Sequence, residues 1–265
     1  MISIGPLALA LERLGALVAF GLFLGGSRWV ERRAGGSAER KAFTAVIAGM
    51  IAARAGFVIG NWSAFARHPL DMLAFWQGGF SWISGVAVAA VTLVLTMRRS
   101  RALPPLLLLL AGITALWFAA DCLLLTPAPR PLPSGVMAAG FDGAVITPEQ
   151  LRGRPFVINL WATWCPPCRR EMPMMVEEAA HASMPVLLIN QGEDRATVLN
   201  WLQRRKLAGD AVRLDPQGTT SVRLEAGALP TTLFIDANGM IRAIHRGEIS
   251  RAGLLSGMKE LEETL

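Results

Sequence analysis

Two cysteines stand three positions apart in the stretch WATWCPPCRREMP, residues 161–173, with Pro166 and Pro167 between them. That spacing serves three kinds of chemistry: half of a tetrahedral zinc site, a structural disulfide, or a thiol–disulfide exchange pair. A zinc site needs a second pair of ligands. The candidates are Cys122, His68, His181 and His245, and no spacing among them completes a set, so no metal is expected. Three cysteines in the whole chain also cannot build a disulfide framework. Exchange chemistry is what the residues favour. The attacking species is a thiolate, and a helix N-terminus stabilises one. Pro166 suits the first helical position, where no N–H is needed. Cys165 would then be the nucleophile. Cys168, one turn further in, would resolve a mixed disulfide formed at Cys165.

The elements that must hold this pair are short strands alternating with helices. RPFVINLWA (154–162) reads as a buried strand that runs directly into the motif, and a helix is expected over about 166–181. MPVLLIN (184–190) and AVRLD (211–215) read as further strands, with an amphipathic helix over 194–206 between them. TTLFIDANGMIRAIHRG (231–247) predicts a hairpin turning at Asn238-Gly239. A last helix over 250–265 has Ser250 as its N-cap. The sum is a central mixed sheet covered by helices, an α/β domain over 136–265. Trp161 is expected in the core and Trp164 on an apolar surface that meets the substrate. His181, at the end of the motif helix, complements the helix dipole, and His245 is expected at the surface.

The first half of the chain is different. Over the whole sequence 52% of residues are hydrophobic, and apolar stretches at about 5–26, 42–62, 80–97 and 104–125 each approach the length that crosses a bilayer. The expectation is a four-helix transmembrane region over 1–125. The net charge of +6 also belongs here: residues 1–135 carry twelve basic and five acidic side chains, residues 136–265 fourteen and fifteen. An excess confined to membrane loops excludes a nucleic-acid partner and orients the helices. Arg28, Arg32, Arg33, Arg40 and Lys41 mark one cytoplasmic loop, and Arg98, Arg99 and Arg101 another. The N-terminus and everything after the fourth span then lie outside, in the periplasm if the membrane is a bacterial inner membrane. Glu12, Arg54 and Asp121 fall inside the spans, where charges need partners, so Arg54 is expected to pair with Glu12 or Asp121. Cys122 is read as a small apolar residue of the fourth span. TPAPRPLPSG (126–135), with four prolines, reads as an extended linker that joins neither helix nor sheet core.

The chain carries two resemblances to known families. LRGRPFVINLWATWCPPCRREMP (151–173) and GALPTTLFIDANG (227–239) resemble the TlpA/ResA/CcmG group of membrane-tethered, thioredoxin-fold thiol–disulfide oxidoreductases. That resemblance implies a redox-active Cys165–Cys168 disulfide and no other cofactor. It also implies a cis peptide bond before Pro230, so that Leu229, Pro230 and Thr231, with Trp164, Pro166 and Pro167, support the site and dock a substrate chain. The partners it implies are periplasmic proteins with disulfides or thiols, and a membrane electron donor of the DsbD type; the direction it implies is reduction. Thioredoxin itself has a buried aspartate where this chain has Asn159. Glu171 is therefore the remaining candidate for a proton route from Cys168, against the plainer reading of an exposed helix acid.

The second resemblance lies in SIGPLAL (3–9), GMIAARAGFVIGN (49–61) and HPLDMLAFWQGGFSWISGV (68–86), which look like the start of prolipoprotein diacylglyceryl transferases. Where that family has its catalytic histidine this chain has Ile83, and the whole chain has no tyrosine. The resemblance implies a scaffold held among membrane lipids rather than a working transferase.

Overall fold

The computed structural model describes residues 2–263, apart from positions 5, 6, 10, 36, 67–68, 74–77 and 121–127; the side chains of 2–14, Ser63 and Pro148 are also outside the description. The chain divides into two compact units, Met1–Pro127 and Ala128–Leu265.

In the first unit a short hairpin, β1 (Ile2–Ile4) and β2 (Leu7–Leu9), precedes α1 (Leu11–Ala34). The helix thus begins six residues later than the apolar stretch suggested. Pro6 has no amide N–H to give a helix, and the apolar residues around it form strands instead. The chain continues through α2 (Ala38–Gly60), the short α3 (Trp62–Ala66), a 3-10 turn at Pro69–Leu73, α4 (Trp82–Met97) and α5 (Leu103–Ala120). Among the described residues, α2 and α5 are each long and apolar enough to cross a membrane, and α4 is apolar over 16 residues. Small residues bring α2 and α4 together: a Cβ at Gly49 would lie 2.9 Å from the Gly85 carbonyl oxygen and 3.2 Å from the Ala89 methyl group. Such closeness brings the two helix backbones into van der Waals contact.

Arg54, on α2, meets backbone carbonyls of the segment between α3 and α4. Its guanidinium donates to the carbonyl oxygens of Asp71 (2.9 Å), Met72 (3.0 Å), Gly78 (2.8 Å) and Gly79 (3.0 Å). The Glu12 side chain and Asp121 lie outside the described residues. Carbonyl oxygens serve a half-buried guanidinium as hydrogen-bond acceptors. Gly79 has φ +83° and would drive a Cβ to 2.4 Å from the Phe57 ring, so glycine is required where this loop closes on Arg54.

The second unit holds β3 (Arg130–Pro131), β4 (Ala138–Ala139), β5 (Val145–Ile146), a 3-10 turn at Pro148–Leu151 and β6 (Phe156–Trp161). Then come α6 (Pro166–His181), β7 (Val186–Gln191), α7 (Arg195–Arg205), β8 (Val212–Asp215) and α8 (Thr219–Arg223). The chain ends with β9 (Thr231–Ile235), β10 (Met240–Arg246) and α9 (Arg251–Glu263). One mixed sheet has the order β3-β10-β9-β6-β7-β8-β4-β5, with β6, β7 and β8 parallel and β9 antiparallel to β6. Because side chains alternate along a strand, β6 serves two cores. Phe156, Ile158 and Leu160 join a cluster with Leu187, Leu224 and Leu233, while Val157 and Trp161 join one with Cys168, Met172 and Met175 of α6.

The proline tract departs from expectation. Arg130 and Pro131 pair with Ile241 and Met240 as an edge strand, and Leu132 N–H donates to Gly239 O at 2.9 Å. An edge strand tolerates proline because one side of it needs no ladder bond. Arg130 is held further by Glu225 at 2.6 Å and by the Leu224 carbonyl at 3.0 Å.

Candidate active site

β6 is central, paired through Asn159 with Leu188 of β7 on one side and with Thr232 of β9 on the other. It delivers the chain at Trp161 to a tight turn, where Cys165 N–H donates to Ala162 O at 3.3 Å. Glu193 fixes that turn by accepting from the Thr163 N–H (2.7 Å), the Thr163 hydroxyl (2.5 Å) and Asn190 Nδ2 (2.7 Å). The turn feeds straight into α6.

Cys165 is the N-cap of α6, with Pro166 at the first helical position. It forms a disulfide with Cys168, the Cα atoms 5.3 Å apart, and its Sγ accepts the Cys168 N–H at 3.3 Å. The free N–H groups of a first turn supply the positive potential that stabilises a thiolate there. Both sulfur residues are covered: Cys165 is 3% exposed and Cys168 0%. Trp164 beside them is 66% exposed, and Pro166 is exposed as well. Trp161 lies in the core, its Nε1–H donating to Leu188 O at 3.2 Å and its ring 5.4 Å from that of Trp201.

The Leu229-Pro230 peptide is cis, as the resemblance implied. Register places it: Thr231 pairs with Leu160, so Pro230 stands opposite the end of β6 that leads to Cys165. The Thr231 hydroxyl donates to Ala228 O at 2.7 Å, and the Pro230 carbonyl accepts the Gly247 N–H at 2.8 Å. Leu229 is half-buried against both cores.

Glu171 overturns the plainer reading. It is not an exposed helix acid but is 2% exposed. Its Oε1 accepts from Asn159 Nδ2 at 2.9 Å, and its Oε2 accepts the Ile249 N–H at 2.8 Å; Asn159 donates also to Thr232 Oγ1 at 3.1 Å. Burial pushes the carboxyl up to about 8. Hydrogen bonds from Ile249 and Asn159 pull the other way, nearby Glu248 pushes further up, and Arg170 pulls down. A carboxyl poised near neutrality one turn after Cys168 can take or give a proton at physiological pH.

Sequence reasoning placed Asn159 at the position of thioredoxin's buried aspartate but missed its bond to Glu171, and it missed Glu193 and Glu248 as members of the site. One signal was there to be used. Cys168, Glu171, Met172, Met175 and Val176 follow the i, i+3, i+4, i+7, i+8 spacing of a buried stripe, and Glu171 sits on it. Of the histidines, His181 Nδ1 contacts its own helix at Glu177 O (2.8 Å), and His245 Nε2 lies 3.2 Å from Glu248 O. Among the described residues no three His, Cys, Asp or Glu side chains converge on a metal position.

Comparison with known proteins gives two family matches. The AhpC/TSA family matches residues 132–244, and the prolipoprotein diacylglyceryl transferase family matches residues 1–120. The thiol:disulfide interchange protein DsbE of Xylella fastidiosa is 31% identical over 106 residues, which are 40% of this chain and 54% of that protein. The DsbE homolog of Paracoccus denitrificans is 30% identical over 153 residues, 54% of this chain and 84% of the other. The thiol-disulfide oxidoreductase ResA of Geobacillus thermodenitrificans is 32% identical over 114 residues, 42% of this chain and 65% of the other.

Proposed function

The chain belongs to the thioredoxin-fold family of thiol:disulfide interchange proteins that includes DsbE and ResA, and on that premise we propose that it is a membrane-anchored protein-disulfide reductase. The observation that carries the reading is the Cys165–Cys168 disulfide at the start of α6, with the buried Glu171 one turn beyond it.

In the reduced protein the helix terminus favours the Cys165 thiolate, whose proton has gone to solvent. This thiolate attacks one sulfur of a client disulfide. A Cys165–client bond forms, and the other client sulfur leaves as a thiolate. Glu171, as carboxylate, takes the proton of Cys168 directly or through water. The Cys168 thiolate attacks Cys165 Sγ, the client's remaining sulfur leaves, and the disulfide seen in the structure is restored. Two electrons pass to the client. Trp164 and the edge around Pro230 offer the client an apolar contact and a main-chain contact.

The clients are periplasmic proteins, with cytochrome c or copper-site assembly as one setting, and a DsbD-type donor re-reduces the pair. Four helices anchor the chain in a bacterial inner membrane, surrounded by lipid, with the redox unit outside. What supports this is the distribution of basic loops together with the apolar α2, α4 and α5. With Ile83 in place of a histidine, the first unit is read as an anchor.

A Cys168→Ser variant should accumulate mixed disulfides with client proteins at Cys165, and Cys165→Ser should accumulate none. In cells the wild-type pair should be held mostly reduced. Absence of any trapped client would sink the exchange reading, and a pair held oxidised would reverse the direction.

A further inference from the structure

α6 presents two consecutive residues to two consecutive residues of the loop between β10 and α9. Arg170 Nε and Nη2 reach Glu248 Oε2 at 2.7 and 2.6 Å, and the Ile249 N–H reaches Glu171 Oε2 at 2.8 Å. The loop is fastened on its other side too, through Gly247 N–H to Pro230 O and through the contact of His245 Nε2 with Glu248 O. The Glu248 side chain is only 10% exposed, whereas Arg170 is 58% exposed. A second carboxylate is therefore held beside Glu171 in a poorly solvated place, with a cation lying over it on the solvent side.

We infer that Glu248 and Arg170 are positioning residues for the resolving step: by their opposite charges they govern the pH at which Glu171 can accept the proton of Cys168. This rests on the proton role proposed for Glu171. Two acids in one desolvated site resist ionising together, and an adjacent guanidinium relieves that resistance. The groups that face Glu171 are Asn159 from β6, with Thr232 of β9 behind it, Arg170 from α6 itself, and Glu248 and the Ile249 N–H from the loop. His245 of β10 is the further titratable group, at the Glu248 carbonyl. Burial and Glu248 raise the affinity of Glu171 for its proton, and Arg170 lowers it.

Single-turnover kinetics on the full chain in detergent micelles test this, with an aromatic bis(nitrobenzoate) disulfide as probe. The reduced protein should release one coloured thiolate on attack by Cys165 and a second when Cys168 resolves the adduct. The rate of the second release should rise with pH as Glu171 ionises. Glu248→Gln should move the midpoint of that rise down by about half a pH unit or more, and Arg170→Gln should move it up by a similar amount. Both substitutions break the same ion pair, so a merely structural role would move the midpoint in one direction for both. Shifts of the same sign, or no shift in Arg170→Gln, would overturn the inference. Arg170 is exposed, so its variant carries the test alone if Glu248→Gln does not fold. Glu171→Gln separates the two levels of argument. If it removes the rise while the charge variants leave the wild-type midpoint in place, the pair has no tuning role. If it leaves the rise intact, the proton role of Glu171 fails as well.

Discussion

At the scale of single residues, the site divides into groups that could be read locally and groups that could not. The cysteine pair, Pro166 and the contrast between Trp161 and Trp164 follow from strand alternation and helix-start chemistry alone. Glu171 did not, because judged by itself an acid on a helix belongs in water. Its burial depends on Asn159, twelve residues earlier, and on Ile249, 78 residues later, and pairings over such distances leave no mark in local sequence. The consequence is measurable in the oxidised protein. Glu171 has its folded proton affinity raised to about 8, against an unfolded value of 4.5. The folded state therefore holds more protons between those limits. Its contribution to stability is complete below about pH 4.5 and is lost as pH rises through about 8, with a slope of at most about 1.4 kcal/mol per pH unit. Urea melts across this range should show the decline, and Glu171→Gln should flatten it. An unchanged slope in the variant would mean that some other group titrates.

At the scale of elements, helices were legible where their caps were. α7 starts after Asp194, whose Oδ1 accepts the Thr197 N–H at 2.9 Å, and α9 starts after Ser250, whose hydroxyl accepts the Gly253 N–H at 3.1 Å. The Ser250 cap was expected from its position before an apolar-periodic run. Replacing it with alanine should cost about 1 kcal/mol, seen as a lower denaturant midpoint with unchanged m-value. β3, β4, β5 and α8 were not read, since two-residue strands and a five-residue helix carry no periodicity to detect. β3 was hidden further by composition. Four prolines signal a linker, yet Arg130 and Pro131 find partners in Ile241 and Met240 of β10, 111 and 109 residues away in sequence. Edge pairing is decided by what the rest of the sheet leaves open, which a local window cannot see.

At the scale of the molecule, the boundary between an apolar half and a more polar half was visible in hydropathy and charge, and the two compact units divide at Pro127/Ala128. Apolar length alone does not reveal what meets the half-buried Arg54 of the first unit. Arg54 relies on four backbone carbonyls, and carbonyls are the same in every sequence. The orientation proposed from the basic loops predicts the outcome of labelling single introduced cysteines with an impermeant maleimide in a background where Cys122, Cys165 and Cys168 are all replaced by serine. Positions near Gly35 and Ser100 should be protected in intact spheroplasts, and a position near Gly135 should react. The opposite pattern would put the redox unit on the wrong side for exchange with exported proteins.

The Cys165 sulfur, the proposed nucleophile, is also the acceptor for the first-turn amide of α6. In the disulfide this acceptor is neutral; in the reduced protein it is an anion, and hydrogen bonds to ions are roughly twice as strong. The electrons should therefore be recorded in the backbone as well as in the sulfurs. Hydrogen–deuterium exchange at the Cys168 amide should slow on reduction while the later turns of α6 stay as they are, and equal exchange in both states would show that the thiolate does not cap the helix. If the amide does slow, a client meeting the reduced protein would find the nucleophile and its helix already fixed as one rigid unit.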